Sequence, residues 1–389
     1  MDIIETAAQR EVRERYSAWL DDFLPHGYLA NYAEHRRDWD LRRAYQRAAF
    51  EAGWLVPQWE PGLGGQSLAR LETLTIQLES ARRAVPKLPN VQGVGVVAPA
   101  LREHGTPEQR ERYLVPVLRG DEWWALGMSE PDAGSDFGGL RTRAVLHGDT
   151  WVVNGQKIWT TQADHSAFSV MFCRTDPDAP KHRGITCLIA DLSAPGITIR
   201  PIRSAEDSLE TFCEVFLDDV EIPADAVLGE VDDGWNVAMS ALNHERDMIW
   251  ILNWVEIERG LERVRAALRD EPRDELLAEL GRRLADAEAI RMTGYRAVTN
   301  ELNTGFSPEF LILKLFGSES LQEVWELAIL AAGPAALTDR ELLLDQFDAL
   351  AATLYGGTSE VQRNIIGERV LGLPKEPKRP NQPSERRSL

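Results

Sequence analysis

Two changes of hydrophobic period divide this 389-residue chain. Up to about residue 120, apolar residues recur at three- and four-residue spacing, as in Leu41, Tyr45, Ala48 and Ala49, which predicts amphipathic helices. Proline and glycine punctuate that region, for example at Pro61-Gly62 and Gly105-Thr106-Pro107. Near Trp123 the pattern turns to short β-rich runs: Ala144–Leu146, Trp151–Val153, Phe168–Cys173, Thr186–Ala190, Ile197–Ile202 and Glu214–Leu217. His147-Gly148-Asp149 and Asn154-Gly155 are the predicted turns between them. From Gly234 to about Leu371 the helical period returns. The expected fold class is therefore α+β and multidomain. An N-terminal all-α domain spans 1–122, a middle antiparallel β-barrel or sandwich spans 123–232, and a C-terminal helical bundle spans 233–373. The proline-rich tail 374–389 is expected to be mobile. This order excludes the βαβ alternation of a dinucleotide fold.

Charge narrows the partners. Lys and Arg total 43 against 62 Asp and Glu, a formal net charge of −19. Such a field repels phosphates, so neither nucleic acid nor an anionic membrane surface is expected as a partner. Three cysteines, Cys173, Cys187 and Cys213, are odd in number and lack CxxC spacing, which fits a reduced compartment. The N-terminal residues lack the apolar core of a signal peptide. The longest apolar run, Leu327–Leu337, is broken at Gly333-Pro334, so no spanning helix is expected. Together these features predict a soluble cytoplasmic protein.

Several apparent motifs carry nothing. Gly93-Val94-Gly95-Val96-Val97-Ala98 fits GxGxxA, but no strand pattern precedes it, so tight packing or a helix start is the better reading. His244-Glu245 opens like HExxH, yet the fifth position is Met248, and no metal site is expected. No GxSxG elbow is present.

Four stretches remain. Leu126–Leu140, LGMSEPDAGSDFGGL, offers backbone N–H groups and the hydroxyls of Ser129 and Ser135, suiting either a planar hydrogen-bonding ligand or a tight loop entering a barrel. Asn154–Gln162, NGQKIWTTQ, reads as a hairpin turn followed by Trp159, which fits a core position or one wall of an aromatic cofactor. In Ala238–Leu252, AMSALNHERDMIWIL, helical spacing puts Glu245 on the face of Ala238, Ala241, Leu242, Ile249 and Leu252. A carboxylate on such a stripe has a raised proton affinity, whereas one paired with Arg246 in solvent does not. In Leu354–Pro374, LYGGTSEVQRNIIGERVLGLP, Gly356-Gly357 precede a predicted close turn and a capped helix.

Taken together, MSEPDAGSD, KIWTT, the Glu-Arg helix and YGGTSEVQR resemble the acyl-CoA dehydrogenase family, in its order and over nearly the whole chain. The resemblance implies FAD and α,β-dehydrogenation of an acyl thioester to the trans-2-enoyl thioester, an oxidoreductase step of lipid metabolism. A carboxylate takes the α-proton while the β-hydrogen leaves as hydride to flavin N5. It further implies that Leu126, Met128, Ser129, Ser135, Trp159, Thr161, Thr358 and Glu360 bind the cofactor. Ser135, Asn243, Arg246 and Gly357 would bind substrate, carried by CoA or a carrier protein. Electron-transfer flavoprotein is the implied acceptor.

The chain departs from the family at three places. Many members carry their base where this chain has Gly356, and a subset carries it at the position of Glu245. Glu245 is thus the expected base, with the Gly356 backbone N–H a donor to the thioester oxygen. The family's Arg-x-x-Phe-Gly block has no counterpart in VRAALRDEPRDELL, and its Gln-x-x-Gly-Gly-x-Gly block reads AILAAGPAAL. Both serve the flavin pyrophosphate of a neighbouring subunit. The sequence therefore resembles the base-bearing chain of bacterial heteromeric members, a heterotetramer with a homologous chain being expected beside a homo-oligomer. Alternative readings on the same fold are a flavin oxidase or monooxygenase, and a non-catalytic partner subunit.

Overall fold

The computed structural model describes residues 5–205, 211–270, 272–305 and 307–375, with 242–248 and 270 described as helical backbone alone. The tail from residue 376 onward lies outside the described residues. Among the described residues six α-helices come first: α1 (Ala7–Phe23), α2 (Tyr32–His35), α3 (Trp39–Glu51), α4 (Arg70–Arg82), α5 (Ala98–His104) and α6 (Pro107–Arg119). Local chemistry sets their ends. Thr6 and Thr106 each form a capping box with a glutamine three residues on, and Pro107 occupies the first turn of α6. Gly93–Val97 form a widened helical turn running into α5. A Cβ on Gly93 would strike the Asn90 side chain and Val117, so Gly93 serves packing, whereas Gly95 is exposed with open space beside it.

The middle region is an eight-stranded sheet in the order β6-β7-β3-β2-β4-β5-β8, with β1 beside β4. Its strands are β1 (Trp124–Gly127), β2 (Arg143–His147), β3 (Thr150–Thr161), β4 (Phe168–Arg174), β5 (Ile185–Asp191), β6 (Ile197–Ile202), β7 (Phe212–Pro223) and β8 (Val227–Leu228). The antiparallel pairings predominate; β1 and the start of β2 run parallel to β4. Because β5 occupies one edge of β4, both β1 and β2 lie along the other, and residues 128–142 loop out between them. The buried Asn90 amide pairs with both backbone groups of Trp124, as a strand would, and fixes β1 to the helical region.

Asn154-Gly155 is not a hairpin turn. β3 runs through it, with a register shift against β7 between Val153 and Gly155. Gly155 has φ +152° and lies against the Thr142 backbone, where a Cβ would come within 2.7 Å of the Thr142 Cα. Asn154 instead exchanges two hydrogen bonds with Asp219, so the dipeptide makes a bulge.

Five further helices follow: α7 (Gly234–Asp270), α8 (Asp274–Thr304), α9 (Glu309–Ala332), α10 (Arg340–Ala351) and α11 (Ser359–Ile365). Trp250, Ile257, Leu261 and Val264 of α7 join Ile290 and Ala297 of α8 and Leu313, Val324 and Trp325 of α9 in one core. Full burial of a Leu- or Ile-sized side chain contributes roughly 1.5–3 kcal/mol. The N-terminal helices are tied to this bundle through Asp345, which accepts from Arg36 at 2.8 Å and Arg259 at 3.0 Å.

Candidate active site

The loop after β1 and the end of β3 form one wall. Ser129 accepts a hydrogen bond from the Ile158 N–H at 2.9 Å through its backbone oxygen, joining the two segments. Leu126, Met128 and Ser129 are half-buried on this wall, and Ser135 is exposed farther along the loop. Trp159 is 58 % exposed and meets Phe212 edge-on at a centroid separation of 6.2 Å. Its φ is +59°, and Gln162 stands at +55°. Holding a bulky residue left-handed costs on the order of 1–3 kcal/mol, and such strain gathers at functional positions. An open indole beside a loop of small residues, with Thr161 half-exposed next to it, fits a planar cofactor with hydrogen-bonding edges.

Sequence reasoning missed what fixes that wall. Lys157 is fully buried, and its Nζ donates to Glu130 Oε1 at 2.8 Å and to the Phe172 oxygen at 2.6 Å. Glu130 also accepts the backbone N–H groups of Arg141 (2.6 Å) and Thr142 (2.9 Å). Burial works against ionisation of Glu130, but Lys157 and the hydrogen bonds outweigh it, holding the carboxyl below its ordinary range. One pair thus locks the loop, β2, β3 and β4 together. The available signal was a lysine at a buried register of β3, facing the one glutamate of the loop.

The second wall is built on α7. Asn243, Glu245 and Arg246 lie on this helix, and their side chains fall outside the described residues. Before them, Val237, Ala238 and Ala241 are buried in one cluster with Ala133 and Phe137 of the loop, and Trp235 stacks on Phe137 at 5.6 Å. After them, buried Ile249 faces the turn that follows α10. Leu252 departs from the expected buried stripe, at 55 % exposed.

The turn itself is Gly356-Gly357, with φ of +62° and +94°. Both values favour glycine. Gln362 donates to the Gly356 oxygen at 3.1 Å, and Lys314 of α9, 1 % exposed, donates to Gly357 and Ala352 at 2.8 and 3.1 Å. Thr358 caps α11 by accepting the Val361 N–H. The exposed Glu360 carboxyl is held below its ordinary range by its own backbone N–H and the Thr358 hydroxyl. Glu130, Lys157 and Gln362 fall inside the quoted motifs but were assigned no role there, and Lys314 lies outside all of them.

Three of the four arginines near the two degraded blocks are engaged inside the chain. Arg263 reaches Asp339 at 3.4 Å, Arg265 pairs with Glu262, and Arg273 donates to the Leu330 and Ala331 oxygens; Arg269 is exposed. All three cysteines are buried free thiols, and burial pushes the Cys173 thiol up to about 11. They are inert as nucleophiles at neutral pH. Among the described residues no His, Cys, Asp and Glu cluster fits a metal ion, and no helix is long and apolar enough to cross a membrane.

Comparison with known proteins agrees with this geometry. Family models described as the acyl-CoA dehydrogenase N-terminal, middle and C-terminal domains match residues 6–121, 125–220 and 232–371. The chain is similar to acyl-CoA dehydrogenase IpdE1 of Mycobacterium tuberculosis, 34% identical over 95% of this chain and 98% of that protein. Among solved structures it resembles the Tcur3481-Tcur3483 steroid ACAD, with TM-score 0.84 and 29% identity over 97% of this chain and all of that one. It also resembles the ChsE4-ChsE5 complex of M. tuberculosis, with TM-score 0.82 and 30% identity over 96% of this chain and all of that one. With a matching family domain over each of its three regions, the chain belongs to the acyl-CoA dehydrogenases and is an oxidoreductase whose cofactor is FAD.

Proposed function

We propose that this chain α,β-dehydrogenates an acyl-CoA thioester with Glu245 as the base. One observation carries the reading: up to Ala241, α7 shares a buried cluster with Ala133 and Phe137 of the loop after β1, and its Ile249 lies against the glycine turn. Glu245 is one helical turn from each, so a group lying between the two walls passes it. FAD, when bound, supplies the two-electron oxidising capacity that the protein lacks. The Gly356 N–H donates to the thioester oxygen, where negative charge develops as the α-proton leaves. Glu245 receives that proton. Leu126, Met128, Ser129, Ser135, Trp159, Thr161, Thr358 and Glu360 hold the cofactor, while Ser135, Asn243, Arg246 and Gly357 hold the thioester.

The favoured substrate is a bulky, ring-bearing acyl group. One structural relative is titled a steroid ACAD, and a side chain starting at Gly356 would meet only Ile249 and Lys314, each at 3.6 Å. Two relatives are complexes of paired chains, which supports assembly with a homologous chain. Electron-transfer flavoprotein is the proposed acceptor. Straight, branched and ring-bearing acyl-CoA thioesters should be mixed anaerobically with the flavin-loaded protein while flavin bleaching is followed. Ring-bearing thioesters should bleach fastest. No bleaching by any thioester, with FAD bound, overturns the proposal; rapid reoxidation of the bleached protein by air would point to an oxidase.

A further inference from the structure

Lys314 is a long polar side chain that the bundle has no packing reason to bury. It lies inside α9, 1 % exposed, among apolar neighbours such as Leu311 and Leu313. Its amine spans two pieces of backbone, the Ala352 oxygen past the end of α10 and the Gly357 oxygen in the turn. Its Cε lies 3.6 Å from where a side chain at 356 would begin. From the other side, Gln362 holds the Gly356 oxygen at 3.1 Å. Consecutive carbonyls of a glycine pair are therefore each anchored by a side chain. A glycine pair is the most easily reoriented stretch of backbone. Its fixed carbonyls set the N–H groups of Gly357 and Thr358, which share their peptide planes; the Gly356 N–H lies one plane earlier, held between the anchored Gly356 oxygen and the Tyr355 N–H, which donates to the Ala351 oxygen at 3.1 Å.

We propose that Lys314 is a positioning residue for catalysis: with Gln362 it holds the glycine turn so that the Gly356 N–H meets the thioester oxygen. The assignment rests on the proposed dehydrogenation and deepens it. Donors aimed beforehand at developing charge stabilise an enolate more than donors that must reorient.

The test uses the flavin-loaded protein and a 3-thia-acyl-CoA. This analogue has an α-proton acidified by sulfur and no β-hydrogen to lose, and its bound anion gives a long-wavelength charge-transfer band with oxidised flavin. The pH midpoint of that band is measured for wild type, Lys314→Met and Gln362→Leu, alongside FAD content and melting temperature. Both substitutions should raise the midpoint by about one pH unit, a tenfold loss of ionisation, with FAD retained. A loss of stability alone would lower melting without moving the midpoint, and that result overturns the assignment. A shift in Lys314→Met with none in Gln362→Leu also overturns it, since charge and not positioning would then be at work. No band in wild type, with analogue and FAD both bound, sinks the dehydrogenation proposal instead.

Discussion

A Cβ built on Gly356 stands 3.6 Å from Ile249 Cδ1, in ordinary van der Waals contact with the residue one helical turn beyond Glu245. Position 356 thus lies against α7 one helical turn from Glu245, the residue proposed as the base.

Glu245→Gln should retain FAD and bind thioester, yet reduce the flavin at least about 10²-fold more slowly, the low end of general-base effects. Stopped-flow flavin bleaching measures it. Near wild-type reduction would exclude Glu245 as the base.

The glycine pair answers in two ways. Gly356→Glu combined with Glu245→Gly should recover part of the activity lost in Glu245→Gly, because the new carboxylate starts from the facing wall. Gly357→Ala should destabilise by roughly 1 kcal/mol or more, since its φ of +94° disfavours a side chain and the new Cβ meets Gln362 Nε2 at 2.6 Å. Stopped-flow flavin bleaching checks the first outcome, and no recovery over Glu245→Gly would refute it; thermal unfolding checks the second, and equal melting of wild type and Gly357→Ala would show that the turn tolerates a side chain.

Glu130 gives the cofactor wall an acid limit. Its carboxyl is held below the ordinary value when folded, so its stabilisation is complete above about pH 4.3, the ordinary glutamate pKa, and is lost as pH falls through the depressed value. Glu130→Gln leaves the Lys157 amine buried without its anion and should cost about 3–5 kcal/mol at neutral pH. Urea unfolding at a series of pH values should show the gap between wild type and variant narrowing below about pH 4. A gap independent of pH would mean that the pair contributes through shape alone.

Assembly follows from the engaged arginines. With Arg263, Arg265 and Arg273 bound inside a chain of net charge −19, a second copy offers few cations to a flavin pyrophosphate. Burying unpaired anionic charge costs several kcal/mol per ion. The chain co-expressed with a homologous neighbour should give two copies of each, holding fewer flavins than subunits. Mass determination with flavin-to-protein stoichiometry measures this, and a stable homo-oligomer with one tight FAD per chain would refute it.

The sequence alone determined features set within a few residues. Hydrophobic period fixed the order helices, strands, helices, and Thr358 marked a helix start because caps act on the next three residues. The glycine pair announced a left-handed turn, since few other residues adopt those angles. Nothing local distinguished a hairpin from a bulge at Asn154-Gly155: the choice lay with Thr142 and Asp219, one on each neighbouring side of β3. β1 and β8, four and two residues long, are too short for a periodic signal and exist through their partners β4 and β5. Glu130 and Lys157 are 27 residues apart, and Lys314 and Gly357 are 43. Whether such polar groups end in solvent or lock a buried turn depends on which distant backbone the fold brings beside them, and only the tertiary structure decided that.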